Sequence, residues 1–141
     1  MSINLIHAAI PHREPFLFVD EVISQTEQQI VCRKTFTGQE FFYAGHYPGH
    51  PLTPGVLLCE AAMQAGAILL SRQVSAQDGV PVATRINDVR FKRMVRPGET
   101  IEMTVELRER LADAFFLDAK VTCEGKVAVR FNFAVTMAKD S

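Results

Sequence analysis

The sequence predicts an α+β domain in which an antiparallel sheet of about six strands wraps around one long central helix. Three observations predict it. Only one segment, residues 55–73, is both long enough and apolar enough for a buried helix. Most of the remaining chain is a series of β-prone runs separated by turn residues. The helix candidate is also apolar on every side, with Leu58, Cys59, Ala62, Ala65 and Leu69 opposite Val56, Leu57, Met63, Ala67 and Ile68. Such a helix needs cover all round, and a curled sheet supplies it while keeping one face in water.

In chain order, residues 4–10 suit a short helix ended by Pro11, which cannot continue the hydrogen-bond ladder. Residues 19–25 and 29–36 are two β-prone runs, and the second alternates Ile30, Cys32 and Lys34 against Val31, Arg33 and Thr35, so a hairpin is expected. Residues 38–54 hold three prolines, three glycines and four aromatics, a composition for a shaped loop rather than a regular element. Thr53 followed by Pro54 predicts an N-cap and a first helical proline for the central helix. Strands are expected over 80–91, 100–110, 115–123 and 126–137, the last two joined by a Glu124-Gly125 turn. Open strand edges predict dimerisation by sheet extension. With no linker, repeat or low-complexity segment in 141 residues, one domain spanning 1–141 is expected.

Composition narrows the function classes. A formal charge of -1 argues against bulk nucleic-acid affinity. The longest apolar stretch is interrupted by Glu60 and Gln64 and is too short to span a bilayer, so no membrane insertion is expected. The first residues lack the basic and apolar regions of a secretory signal, which makes the cytoplasm the expected compartment. Cys32, Cys59 and Cys123 are odd in number and widely spaced, which suits buried free thiols, and no metal-binding spacing occurs.

Three features point to chemistry. Glu60 is the one acid in the apolar helix; burial favours the neutral form of a carboxyl group, so Glu60 can hold the proton a general acid needs. Gln64, one turn on, can hydrogen-bond it. A structural Glu60–Gln64 pair at a dimer seam is the competing explanation. His46 lies in Gly45-His46-Tyr47-Pro48-Gly49-His50-Pro51, where glycines and prolines fix an irregular backbone that can hold an imidazole in place. In its neutral form it can take a proton from a C–H beside a thioester carbonyl. His50 is assigned only local backbone bonding. At Pro54-Gly55-Val56 the helix start offers backbone N–H groups without intrahelical acceptors, and Gly55 lets a substrate oxygen approach closely. A base, an acid and a carbonyl-polarising amide suit loss of water β to a thioester, and no cofactor is implied.

These residues resemble the 3-hydroxyacyl acyl-carrier-protein dehydratase family, the non-isomerising branch of bacterial fatty-acid synthesis. The resemblance covers nearly the whole chain: Ile10-Pro11-His12-Arg13-Glu14-Pro15-Phe16-Leu17-Phe18-Val19-Asp20, then Gly45-His46-Tyr47-Pro48-Gly49 with Pro54-Gly55-Val56-Leu57 and Glu60, then Val89-Arg90-Phe91-Lys92-Arg93 with Pro97-Gly98. It implies a hot-dog fold whose protomers join their sheets, with His46 of one working beside Glu60 of the other and the Gly55 amide polarising the carbonyl. Tyr47, Pro54, Val56 and Gln64 would support them. The family commonly assembles three such dimers. Isomerising relatives carry aspartate where this chain has Glu60, so plain dehydration is implied.

Acyl carrier proteins are acidic, and Arg90, Lys92, Arg93 and Arg96 form a basic run whose alternation would place several charges on one strand face as a docking surface. The chain departs from the family at Val82-Ala83-Thr84-Arg85, where aromatic gate residues are common, at Asn87 in place of a frequent aspartate and at Met94 in place of the usual proline. The alternatives at this point are a dehydratase of a polyketide, aryl-polyene or lipid pathway, a hot-dog thioesterase in which the carboxylate activates water, and a non-catalytic acyl-binding dimer.

Overall fold

The computed structural model describes residues 3–139 of the 141. A short helix α1 (Ile3–Ala9) is followed by a hairpin of β1 (Glu21–Gln25) and β2 (Gln29–Thr35), the central helix α2 (Gly55–Leu70), and the strands β3 (Val80–Phe91), β4 (Thr100–Leu111), β5 (Ala114–Cys123) and β6 (Lys126–Ala138). The six strands form one antiparallel sheet in the order β1-β2-β4-β5-β6-β3. Glu124 and Gly125 both have positive φ (53° and 76°), the backbone a two-residue turn needs to match strand twist, and they join β5 to β6 as expected.

Alternation along the strands builds the core. On β4, Ile101, Met103, Val105 and Leu107 point inward, and on β5 Phe115, Leu117, Ala119, Val121 and Cys123 do so. The sheet closes on α2 tightly enough that a Cβ on Gly66 would stand 2.9 Å from the Phe133 ring. A mid-helix glycine weakens the helix, and here it admits the β6 aromatic. All three cysteines are free and buried. Burial pushes the Cys32 thiol up to about 12 and the Cys59 thiol up to about 11, which keeps both protonated and unreactive.

Several expectations are corrected. The first strand begins at Glu21 rather than at 19; just before it, the Phe18 N–H goes to the Gln64 side chain (2.7 Å) and the Asp20 N–H to the Arg33 carbonyl of β2 (2.8 Å). The central helix stops at Leu70 rather than near 73, where the Ser71 hydroxyl donates back to the Ile68 carbonyl (2.6 Å). The loop over 38–54 contains one 3-10 turn, Phe41–Ala44. Thr53 is not the N-cap: Pro54 occupies that place with ψ 129°, its carbonyl accepting from the Leu57 N–H (2.9 Å), while the Thr53 hydroxyl is drawn to Tyr43 (2.6 Å). Nor is α2 covered all round by its own chain. Val56 is 70 % exposed and Leu57, Glu60 and Met63 are half-buried, so a stripe at i, i+4 and i+7 remains open.

The two sheet edges differ. β1 is short and irregular, with a register shift between Val22 and Ser24. β3 has twelve residues, with Val80, Val82, Ile86, Val89 and Phe91 exposed along it. Among the described residues no helix is long and apolar enough to cross a membrane.

Candidate active site

The loop after β2 delivers His46 to the mouth of a cavity of about 710 Å³ that it shares with Gly55, Val56, Phe91, Met94 and Arg96. Its ring Nδ1 lies 3.0 Å from the Leu52 carbonyl. A carbonyl only accepts, so Nδ1 carries the hydrogen of this bond, and in the tautomer this selects Nε2 is the acceptor atom. Tyr47, at φ 51°, sets its ring 4.7 Å from the imidazole, and its carbonyl accepts the His50 N–H (2.8 Å). His50 is exposed, and its bond in this turn is made by the backbone N–H rather than by the ring. Behind His46 the loop is anchored through buried Thr53, whose N–H donates to the Val95 carbonyl (2.8 Å) and whose hydroxyl pairs with the Tyr43 phenol. Burial raises that phenol's affinity for its proton.

The first turn of α2 closes the same cavity. No described acceptor meets the Gly55 N–H, since Pro54 caps the helix through its carbonyl and Thr53 is engaged elsewhere. Phe91, at the end of β3, lies against this turn, and a Cβ on residue 55 would stand 2.6 Å from its ring. Sequence reasoning reads Gly55 as room for a substrate oxygen and misses Phe91, which only the folded chain brings there.

Glu60 lies elsewhere. One turn along α2, on the open stripe, its side chain is 24 % exposed rather than sealed in the core. Gln64, 1 % exposed, donates from Nε2 to Glu60 Oε2 (3.0 Å), which meets the expected pairing. The same Nε2 donates to the Phe16 carbonyl (2.8 Å), and Oε1 accepts from the Phe18 N–H (2.7 Å). His12 Nε2 stands 3.8 Å from Glu60 Oε2. Sequence reasoning finds Glu60 and Gln64 but not these partners; the proline-flanked His12 is the one local signal available. Within one chain, then, His46, Gly55 and Val56 share a cavity whose lining does not include Glu60 and Gln64.

The basic run does not form a strand-face array. Arg90 alone lies within β3, opposite Arg130, while Lys92, Arg93 and Arg96 follow the strand end. Arg93 is turned inward, donating to the Cys123 carbonyl (3.3 Å) and to Glu99 (3.2 Å), because the β5–β6 turn and the start of β4 surround it. Lys92 and Arg96 border the His46 cavity and are exposed.

Comparison with known proteins bears on this geometry. Residues 10–132 match the FabA-like domain family. The 3-hydroxyacyl-[acyl-carrier-protein] dehydratase FabZ of Clostridium perfringens is 42 % identical over 128 residues, covering 91 % of this chain and 92 % of that protein. The chain belongs to the FabZ family of FabA-like dehydratases. The FabZ of Pseudothermotoga lettingae is 36 % identical, covering 99 % of both chains. Among solved structures, the dehydratase heterocomplex ApeI:P of Xenorhabdus doucetiae superposes with a TM-score of 0.80 at 15 % identity, over 96 % of this chain and 91 % of that one. The Escherichia coli PaaI protein gives 0.67 at 22 %, over 82 % and 81 %. At such identities the likeness is one of fold, and the fold of this FabZ-family chain is the hot-dog, six antiparallel strands around one central helix.

Proposed function

We propose that this chain, acting as one domain over 1–141, removes water from (3R)-3-hydroxyacyl-[acyl carrier protein] to give the trans-2-enoyl thioester in fatty-acid biosynthesis. The observation that carries the reading is the His46 cavity: a base with a bare Nε2 faces a helix N-terminus whose Gly55 amide has no described acceptor. His46 Nε2 takes the α proton, and the charge gathering on the thioester oxygen is met by the Gly55 N–H. As the Cα–Cβ double bond forms, the β C–O bond breaks and Glu60 delivers its proton to the departing hydroxyl, releasing water. Return of one proton to Glu60 and loss of one from His46 reset the site, so no cofactor is consumed.

The acid comes from a second copy of the chain. In support, Glu60 lies outside the His46 cavity, on a stripe with Val56 and Met63 that one protomer leaves open. The long apolar edge of β3 offers the sheet-extending contact that brings two such stripes together, and three dimers then assemble. Lys92 and Arg96 supply exposed cations bordering the cavity, and Arg90 an exposed one on β3, for an acidic carrier protein, and the compartment is the cytoplasm.

The test follows the ultraviolet change on incubating the protein with a 3-hydroxyacyl carrier-protein substrate and with its trans-2-enoyl product, while also measuring thiol release. Interconversion is expected, with a loss of about a hundredfold or more in folded His46→Ala and Glu60→Gln variants. Thiol release without enoyl formation would instead make the protein a thioesterase, and binding without turnover a non-catalytic module.

A further inference from the structure

Outside the His46 cavity, the segment between α1 and β1 meets α2 at Gln64 and Glu60. Gln64 cannot flip its amide: the Phe18 N–H only donates and the Phe16 carbonyl only accepts, so the oxygen and nitrogen are assigned by chemistry. Both N–H groups of Nε2 are then used, one on Phe16 and one on Glu60 Oε2. Oε2 is thereby the acceptor oxygen of Glu60, and Oε1 is the oxygen able to carry the proton. His12 approaches that same Oε2 with Nε2 at 3.8 Å, while its Nδ1 is buried with no described partner.

We propose that His12 is a positioning residue for Glu60, which as a neutral imidazole steadies Oε2 beside Gln64 so that Oε1 delivers the proton, and which on becoming charged switches the acid off. This rests on the reading of Glu60 as the general acid. Only the neutral ring suits the place, because charging it would add an N–H at buried Nδ1 with nothing to receive it. A cation beside Glu60 would also favour the carboxylate over the acid. In agreement, burial is the largest influence on His12 and lowers its pKa below 6.5, against the pull of Glu60 and with a smaller push from Arg13.

The charged groups that reach His12 are Glu60 from α2 and Arg13 from its own segment. Arg13 is turned onto the carbonyls of His7, Ile10 and His12. His7 of α1 pairs instead with Glu14 (3.2 Å).

The experiment compares His12→Phe, which removes both ring nitrogens, with His12→Gln, which keeps a donor that cannot charge. Both are measured beside Glu60→Gln across the pH range. His12→Phe is expected to lower kcat about tenfold or more, with KM for the carrier-bound substrate held to within about twofold. His12→Gln is expected to recover most of kcat at neutral pH and to make the acid limb of the profile shallower, from about two protons to about one. A His12→Phe enzyme with wild-type kcat, or a His12→Gln enzyme with the wild-type acid limb, would overturn the proposal; should the Phe variant fail to fold, the Gln profile decides alone. Loss of activity in Glu60→Gln together with either of those results removes only the role of His12, whereas an active Glu60→Gln removes the acid reading itself.

Discussion

At the first turn of α2 the backbone is left open: the Gly55 amide has no described acceptor, and the cavity in front of it measures about 710 Å³. One turn further on, the Glu60 carboxyl is held from behind, with Gln64 bonded to the backbone at Phe16 and Phe18 and His12 beside the same oxygen. One helix thus presents a vacant donor and a tethered acid on different sides. In the reaction proposed above, a donor for a charge that develops only in the transition state stays unpaired beforehand, whereas an acid points its proton one way, which the hydrogen bond from Gln64 Nε2 to Glu60 Oε2 favours.

The largest effect is expected at residue 55. Proline suits the first helical position, and Pro54 already has the extended ψ that a following proline requires, so Gly55→Pro should fold while lacking the amide. Its kcat should drop about a hundred- to a thousandfold. Gly55→Ala keeps the amide and displaces only the exposed Phe91 ring, so a much smaller loss is expected, and equal losses would assign the effect to cavity shape.

Next comes a mixing experiment. His46→Ala and Glu60→Gln proteins, denatured together and refolded, should recover about one quarter of wild-type turnover, because in the proposed dimer half the pairs are mixed and each restores one of two sites. No recovery would place both groups in one protomer.

At the tethered acid, Gln64→Leu leaves the Phe16 carbonyl, the Phe18 N–H and a Glu60 oxygen unmet, and should lower the unfolding free energy in urea by about 2–3 kcal/mol. The smallest effect is a linkage at His12. Its pKa is depressed in the folded state, so the folded chain binds this proton less readily than the unfolded one. That contribution to stability is complete above 6.5 and is lost as pH falls through 6.5 toward the lower folded value. The difference in urea midpoint between neutral and mildly acidic solution should therefore be smaller in His12→Gln than in wild type.

His46, Glu60 and Gly55 are legible in the sequence because each breaks the pattern of its own segment: an imidazole among glycines and prolines, an acid in an apolar helix, a glycine at a helix start. The Glu60–Gln64 pair is legible because one helical turn brings its members together. Thr53 misleads for the same local reason, since a threonine before proline reads as a cap until Tyr43 takes its hydroxyl. Arg93 reads as a surface cation until Glu99 and the Cys123 carbonyl are seen around it.

The fold class, the strands along the chain, the β5–β6 turn and the ionisable groups proposed for acid–base work are readable from the chain alone. These follow from periodicity, turn stereochemistry and ionisable side chains, all properties of near neighbours. That Phe91 lies on Gly55, that Gln64 is locked by backbone groups 46 and 48 residues away, and that His12 stands beside the Glu60 carboxyl emerges only in the folded chain. Such contacts depend on how the sheet closes over the helix, and residues so far apart in the chain carry no local pattern that marks them as partners.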